Sequence, residues 1–95
     1  MVLKQDALAG KSILVVDDME SLRVLIGGLL AQTGATVFQA KSGDEALRIV
    51  ASQSIDAFVM DIQMPGMSGI DLCRSIRAMD RHAATPILFI TALDE

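Results

Sequence analysis

Short apolar runs alternate with amphipathic segments along the chain after its first ten residues. The first run, Ile13–Val16, is continuously apolar and rich in β-branched side chains. Such runs are typical of strands that are buried on both faces, as in a parallel sheet. Similar runs predict further strands at Thr36–Ala40, Ala57–Met60 and Pro86–Ile90.

Three amphipathic segments lie between these strands, and each predicts a helix. In the first segment, apolar residues recur at the i, i+3, i+4, i+7 and i+8 spacing of one helical face, and Gly34 follows as a stop signal. Ser42 with Glu45, and Ser68 with Asp71, have the spacing of residues that cap a helix N-terminus. The residues predicted to face the core are Leu22, Leu25, Ile26, Leu29 and Leu30 in the first helix, Ala46, Leu47 and Val50 in the second, and Ile70, Cys73, Ile76 and Met79 in the third.

The order of these elements predicts the fold class. Strands that alternate with helices imply a parallel sheet with right-handed crossovers, and therefore a doubly wound α/β fold. A chain of 95 residues corresponds to one domain. We expect residues 1–10 to form an N-terminal lead-in and residues 11–95 to form the domain.

Charge and composition narrow the classes of function. Eight basic and twelve acidic residues give a net charge of −4, which disfavours direct contact with nucleic acid. The longest apolar stretches, Val24–Ala31 and Pro86–Leu93, are much shorter than the roughly 20 residues of a membrane helix. Polar residues interrupt the N-terminus where a secretion signal would be apolar. Cys73, the single cysteine, excludes an intrachain disulfide, which fits a cytoplasmic location.

Three of the predicted strands are succeeded directly by side chains that carry oxygen. These are Asp17 and Asp18 after the first strand, Asp61 after the third and Thr91 after the fourth. A parallel sheet gathers the carboxyl ends of its strands at one edge, where open α/β sheets bind ligands. Converging carboxylates are unfavourable unless they are protonated or neutralised by a cation, and an all-oxygen set without His or Cys favours Mg²⁺ over zinc. A carboxylate in such a site is a suitable nucleophile toward a phosphoryl group, and the Thr91 hydroxyl would donate to its oxygens.

Three strings at these strand ends resemble the receiver domain of bacterial response regulators. They are Val15-Val16-Asp17-Asp18, Met60-Asp61-Ile62-Gln63-Met64-Pro65-Gly66-Met67-Ser68-Gly69 and Ile90-Thr91-Ala92. The resemblance runs from about residue 11 to residue 95. It implies a flavodoxin-like receiver fold with the strand order 2-1-3-4.

The resemblance also implies a role for each residue at this edge. Asp61 looks like the phosphoacceptor. Asp18 resembles a direct Mg²⁺ ligand and Asp17 a ligand that acts through water. The backbone carbonyl of Gln63 matches the family's main-chain ligand position.

Two further residues match positions that respond to the phosphoryl group in the family. Thr91 resembles the switch hydroxyl, and Ala92 matches the small residue that leaves the phosphoryl group room. The roles together imply a cytoplasmic phosphoacceptor module of a two-component phosphorelay. It would receive its phosphoryl group, with Mg²⁺, from a sensor histidine kinase or a phosphotransfer protein. Such a module is a signalling switch rather than a turnover enzyme.

The resemblance stops before the family's fifth strand and its last two helices. The family's phosphoryl-pairing lysine lies in that part, so the alternative is a truncated or degenerate receiver that acts as a phosphorylation-independent interaction module. A Mg²⁺-dependent phosphatase of the aspartyl-phosphate type ranks third. The pattern of such enzymes is Asp-x-Asp after the first strand, whereas Asp17 and Asp18 are adjacent. Without a fifth strand, Ile87–Ile90 becomes an apolar edge, and we expect a homodimer to form through it.

The remaining charged residues near the third helix are expected to be solvated. His82, the only histidine, is placed in a solvated loop outside any site. Arg74, Arg77 and Arg81 are expected on a solvated face of the helix.

Overall fold

The computed structural model describes residues 6–90. Its four strands are β1 (Ser12–Val16), β2 (Thr36–Ala40), β3 (Ala57–Asp61) and β4 (Ile87–Ile90). Its helices are α1 (Glu20–Ala31), α2 (Gly43–Ser52) and α3 (Gly69–Arg77), with a 3₁₀ turn at Asp80–His82. The strands form one parallel sheet in the order β2-β1-β3-β4. The predicted α/β fold and strand order are confirmed.

The register of the sheet aligns the ends of β1 and β3. Val16, the last residue of β1, pairs with Ala40 of β2 and with Met60 of β3. Asp17, which follows β1, is therefore level with Asp61, the last residue of β3. This register places Asp17 beside Asp61.

Both faces of the sheet are covered by helices, which is why its central strands are continuously apolar. Alternate residues of β1 and β3 point to opposite faces. The larger cluster, beneath α2 and α3, contains Leu14, Val16, Ala40, Ala46, Val50, Ile55, Phe58, Met60, Met64, Leu72 and Ile76. The smaller cluster, beneath α1, contains Ile13, Val15 and Val59, with Leu8, Ile26, Leu30, Ala35, Val37, Ala57 and Ile90 packed against it.

Two helices begin at the serine caps that their sequences predict. The Ser42 hydroxyl accepts a hydrogen bond from the Glu45 amide at 3.1 Å, and the Ser68 hydroxyl accepts one from the Asp71 amide at 3.1 Å. The Glu45 carboxylate accepts in turn from the Lys41 amide at 2.9 Å. These bonds satisfy amides that have no partner within the helix.

Two of the residues predicted to face the core are instead exposed. Leu25 is 59% exposed and Ile70 is 39% exposed. In each helix a buried glycine, Gly27 or Gly69, lies on the face that meets the sheet. Leu25 lies two residues from Gly27, on the opposite side of α1, and Ile70 is turned about 100° from Gly69. In α3 the fully buried residues are therefore Leu72 and Ile76.

His82 lies in the core, and its predicted place in a solvated loop is wrong. It is only 3% exposed, at the end of the 3₁₀ turn. Its ring meets the ring of Phe58 edge to face, with 5.3 Å between the centroids. Its Nδ1 lies 2.9 Å from the Thr85 hydroxyl, while its buried Nε2 has no partner in the part of the chain that the structure describes.

All three arginines near α3 are exposed, as expected, and two of them also hold the loops around this turn. The Arg77 guanidinium donates to the carbonyl oxygens of His82, at 3.0 Å, and Thr85, at 2.6 Å. The Arg81 guanidinium donates to the carbonyl oxygen of Val50 in the last turn of α2. Main-chain carbonyls have no signature in the sequence, so these contacts were not predicted.

Residues 6–10, within the predicted lead-in, form turns beside the smaller cluster. The Leu8 amide donates to the Thr33 carbonyl at 2.9 Å, and the Leu8 side chain packs against the cluster. None of the helices within residues 6–90 is both long and apolar enough to cross a bilayer.

Candidate metal and phosphoacceptor site

Three carboxylates meet where β1 and β3 end. Asp17 and Asp18 follow β1, and Asp61 is the last residue of β3. Each offers one carboxylate oxygen, and these oxygens all lie within 4.8 Å of one another. Asp17 is buried, Asp61 is half-buried and Asp18 is exposed. The structure thus brings together the three aspartates that the strand pattern singles out.

Asp17 is the most constrained of the three carboxylates. It is 2% exposed; its Oδ1 accepts from the Met19 amide at 2.9 Å, and its buried Oδ2 has no hydrogen-bond partner within residues 6–90. Burial raises the pKa of the Asp17 carboxyl above its ordinary value, and the charges of Asp61 and Asp18 add to this, whereas the Met19 amide and Arg23 oppose it. A buried carboxylate oxygen without a partner is costly, and a cation would supply one.

The Asp61 carboxylate is held by the loop that follows it. Its Oδ1 accepts from the Gln63 amide at 3.2 Å. The loop then returns to the sheet, where the Gly69 amide donates to the Ile62 carbonyl at 2.8 Å. Gly66, in the middle of the loop, has a φ of +75°, a conformation that glycine adopts without strain. The loop therefore keeps Asp61 at the strand end, beside the other two carboxylates.

Arg23 belongs to this site and was not predicted from the sequence. Its Nη1 donates to the main-chain carbonyl of Asp17 at 2.7 Å, and its side chain is 13% exposed. A second nitrogen, Nη2, lies 3.9 Å from the exposed Glu20 carboxylate. The only sequence signal was a charged residue beside the apolar stripe of α1, which does not identify a main-chain partner.

The residues at this edge fit a hard divalent cation. Among the described residues, every side-chain ligand at this edge is a carboxylate oxygen, the ligand type that Mg²⁺ and Ca²⁺ take, and His82 and Cys73 lie elsewhere. The orphaned Oδ2 of Asp17 is the clearest sign of a missing partner. Thr91 and Ala92 lie outside the described residues, and the Gln63 carbonyl stays a predicted ligand.

The family model of the response regulator receiver domain matches residues 13–95. The chain belongs to this family. This receiver domain is 43% identical to the chemotaxis protein CheY of Pseudomonas aeruginosa over 81 residues, which are 84% of this chain and 65% of that protein. It is 46% identical over 67 residues to the CAI-1 autoinducer sensor kinase/phosphatase CqsS of Vibrio cholerae, covering 70% of this chain and 10% of that protein. The chain thus spans less than two thirds of either relative.

The receiver fold is also found among solved structures. The structure of the chemotaxis protein CheY4 of Vibrio cholerae superposes with a TM-score of 0.86 at 31% identity, over 92% of this chain and 72% of that one. The resemblance drawn from the three strand-end strings is confirmed at the level of family and fold.

Proposed function

We propose that this receiver domain accepts a phosphoryl group on Asp61 in a two-component phosphorelay, with Mg²⁺ held by Asp17, Asp18 and Asp61. The observation that carries the proposal is the meeting of three carboxylate oxygens within 4.8 Å at the carboxyl edge of the sheet. Like charges at that distance repel unless a cation neutralises them. The domain would act as a signalling switch and not as a turnover enzyme.

The geometry of Asp61 suits it to be the nucleophile. The carboxylate is half-buried at the strand end and so is open to a donor from solvent. The Gln63 amide orients it through Oδ1. An Asp61 oxygen attacks the phosphorus of a phosphohistidine, the P–N bond breaks, and the histidine nitrogen leaves with the electron pair. Bound Mg²⁺ would supply positive charge for the phosphoryl oxygens.

A sensor histidine kinase, or a phosphotransfer protein, is the proposed phosphoryl donor. Membership of the receiver family supports this partner, and so does the similarity to part of CqsS, which is named a sensor kinase/phosphatase. Thr91, as the switch hydroxyl, and Ala92, as the small neighbour, complete the proposed site. The Gln63 carbonyl would be its main-chain metal ligand.

Labelling with acetyl phosphate tests the proposal. The protein is incubated with acetyl phosphate and Mg²⁺, and its intact mass is measured. We expect the mass of one phosphoryl group to be added, and expect none after chelation of Mg²⁺ or in Asp61→Asn, since an amide is not a comparable nucleophile. Asp44→Asn, an exposed aspartate on α2, is the matched control and should be labelled like the wild type.

Three outcomes would contradict this function. Labelling that persists in Asp61→Asn would remove Asp61 from its role. A folded protein that is never labelled, yet still binds a partner, would support the phosphorylation-independent interaction module. Steady release of phosphate from a simple monoester would instead support the phosphatase.

A second copy of the chain is the proposed partner of β4. This strand is at the edge of the sheet formed by the described residues, and Leu88 on it is 63% exposed. Free strand edges present N–H and C=O groups that an identical strand can pair with around a two-fold axis. Sedimentation at micromolar concentration should detect a dimer that Leu88→Lys weakens. A monomer at every concentration would exclude it.

A further inference from the structure

The Arg23 side chain links the first turn of α1 to the end of β1. Its Nη1 lies 2.7 Å from the Asp17 carbonyl oxygen, the short distance of a charge-assisted hydrogen bond. Its own amide donates to the Met19 carbonyl at 3.0 Å, so the backbone on both sides of Asp18 is tied to one residue. An arginine that is 13% exposed is held in place and does not sample solvent freely.

The segment that Arg23 holds carries two of the three carboxylates. Asp17 bends back to accept from the Met19 amide through Oδ1, and no described residue partners its Oδ2. Asp18, between these residues, is exposed. Its main chain lies between the two carbonyl groups that bond to Arg23. The direction of the Asp18 side chain therefore depends on a turn that Arg23 closes.

We infer that Arg23 is a positioning residue of the metal site, an inference that rests on the proposed function. It would act through the main chain of residues 17–19, keeping the carboxylates of Asp17 and Asp18 within reach of Asp61. It would not contact the cation. The positive charge of Arg23 alone would weaken Mg²⁺ binding, because a guanidinium beside the site repels a divalent cation. The two effects predict opposite signs when the guanidinium is removed.

Three variants separate these effects. Arg23→Met keeps the apolar stem and removes the hydrogen bond and the charge. Arg23→Lys keeps the charge and one donor. Glu20→Gln, the matched control, removes the exposed ion pair with Arg23 and leaves the bond to the Asp17 carbonyl in place.

Mg²⁺ affinity is measured from amide NMR shifts, and labelling by acetyl phosphate is followed as a function of Mg²⁺ concentration. We expect Arg23→Met to weaken Mg²⁺ binding roughly tenfold, a size usual for residues that orient metal ligands. The labelling rate at saturating Mg²⁺ should change little. Arg23→Lys should recover part of the affinity, and Glu20→Gln should match the wild type. Without metal, hydrogen exchange of the Met19 amide should speed up in Arg23→Met, because its acceptor on Asp17 is less fixed.

Unchanged or tighter Mg²⁺ binding in Arg23→Met would overturn the inference and indicate that Arg23 affects the site only through its charge. Wild-type protein that binds no Mg²⁺ and takes no label would instead refute the proposed function. Hydrogen exchange of the Met19 amide would still test the role of Arg23 in the turn. The same exchange rate in Arg23→Met as in the wild type would refute that role. If Arg23→Met loses its cooperative melt, Arg23→Lys decides: weaker Mg²⁺ binding together with faster exchange of the Met19 amide supports positioning, and wild-type affinity contradicts it.

Discussion

Gly69 lies so close to Asp61 that a Cβ at residue 69 would be 2.0 Å from the Asp61 carbonyl oxygen. The obstacle is main chain and cannot turn aside as a flexible side chain can. The glycine therefore lets α3 begin directly against the end of β3. This close approach determines the path of the loop that carries Gln63, and with it the hydrogen bond that orients the Asp61 carboxylate.

Gly69→Ala should damage both the fold and the site. Relief of the conflict requires the start of α3 or the end of β3 to move, and overpacking of this kind costs about 1–3 kcal/mol in the free energy of unfolding. Urea denaturation measures this loss, and labelling of Asp61 should fall with it. Gly28→Ala is the control, because a Cβ at exposed Gly28 meets nothing within 4 Å. It should stabilise α1 by about 0.5–1 kcal/mol. Equal stability of the two variants would contradict the role of the close approach.

Asp17→Asn should stabilise the metal-free protein while it weakens Mg²⁺ binding. The folded state raises the pKa of the Asp17 carboxyl through burial. At neutral pH the folded protein therefore carries a charge that it disfavours, and this cost disappears as the pH falls through the raised pKa. Asparagine retains an oxygen for the Met19 amide and removes the charge. We expect a gain of about 1 kcal/mol at pH 7 without metal, a typical size for relief of one buried group. Thermal melts with and without Mg²⁺ measure both effects, and a loss of stability without metal would contradict the explanation.

The strands and the carboxylate edge could be predicted from the sequence because local pattern and global fold agree there. A strand that is buried on both faces, such as Ile13–Val16, must be apolar throughout. In a parallel sheet the residue after such a strand can only lie at the common edge, which is how Asp17 and Asp61 come together. The family strings then repeat what the strand pattern already indicates.

The parts that could not be predicted depend on partners without a side-chain signature. The hydropathy pattern predicts Ile70 in the core because it gives no weight to the buried Gly69, which determines the face of α3. His82 is buried through a ring contact with Phe58, far away in the chain. Arg23 bonds to a main-chain carbonyl, a group that every residue carries. Each of these contacts is visible only once the tertiary arrangement is known.

Arg81→Met should destabilise the protein more than Arg74→Met does. Carbonyls in the last turn of a helix lack partners within it, and Arg81 supplies one to Val50 of α2. Its charge is also favourable at a helix C-terminus. Loss of this contact should cost about 1 kcal/mol in the free energy of unfolding. Arg74 is exposed and, among the described residues, forms an ion pair only with Asp71, at 3.8 Å, so its loss should cost less than about 0.5 kcal/mol. Urea denaturation of both variants decides the order, and equal costs would contradict it.

His82 should make the protein less stable in mild acid. Burial lowers the pKa of the His82 imidazole below its ordinary value of 6.5, and the charges of Arg81 and Arg77 add to this. The unfolded chain therefore binds a proton at a pH where the folded protein does not, and stability falls as the pH drops below 6.5 toward the folded-state pKa. Above the unfolded pKa this contribution is fully retained.

His82→Asn isolates that contribution, because asparagine does not titrate and keeps a polar atom near the Thr85 hydroxyl. Its smaller side chain leaves space beside Phe58, so we expect it to be less stable than the wild type at pH 7.5 by about 1–2 kcal/mol. The difference should narrow between pH 7 and pH 5, because only the wild type has a histidine at residue 82 whose protonation favours the unfolded chain. Urea denaturation across this range, with carboxylate titration common to both proteins, measures the narrowing. A constant difference would show that His82 stays uncoupled from proton uptake, and that its buried Nε2 finds a partner when it is charged.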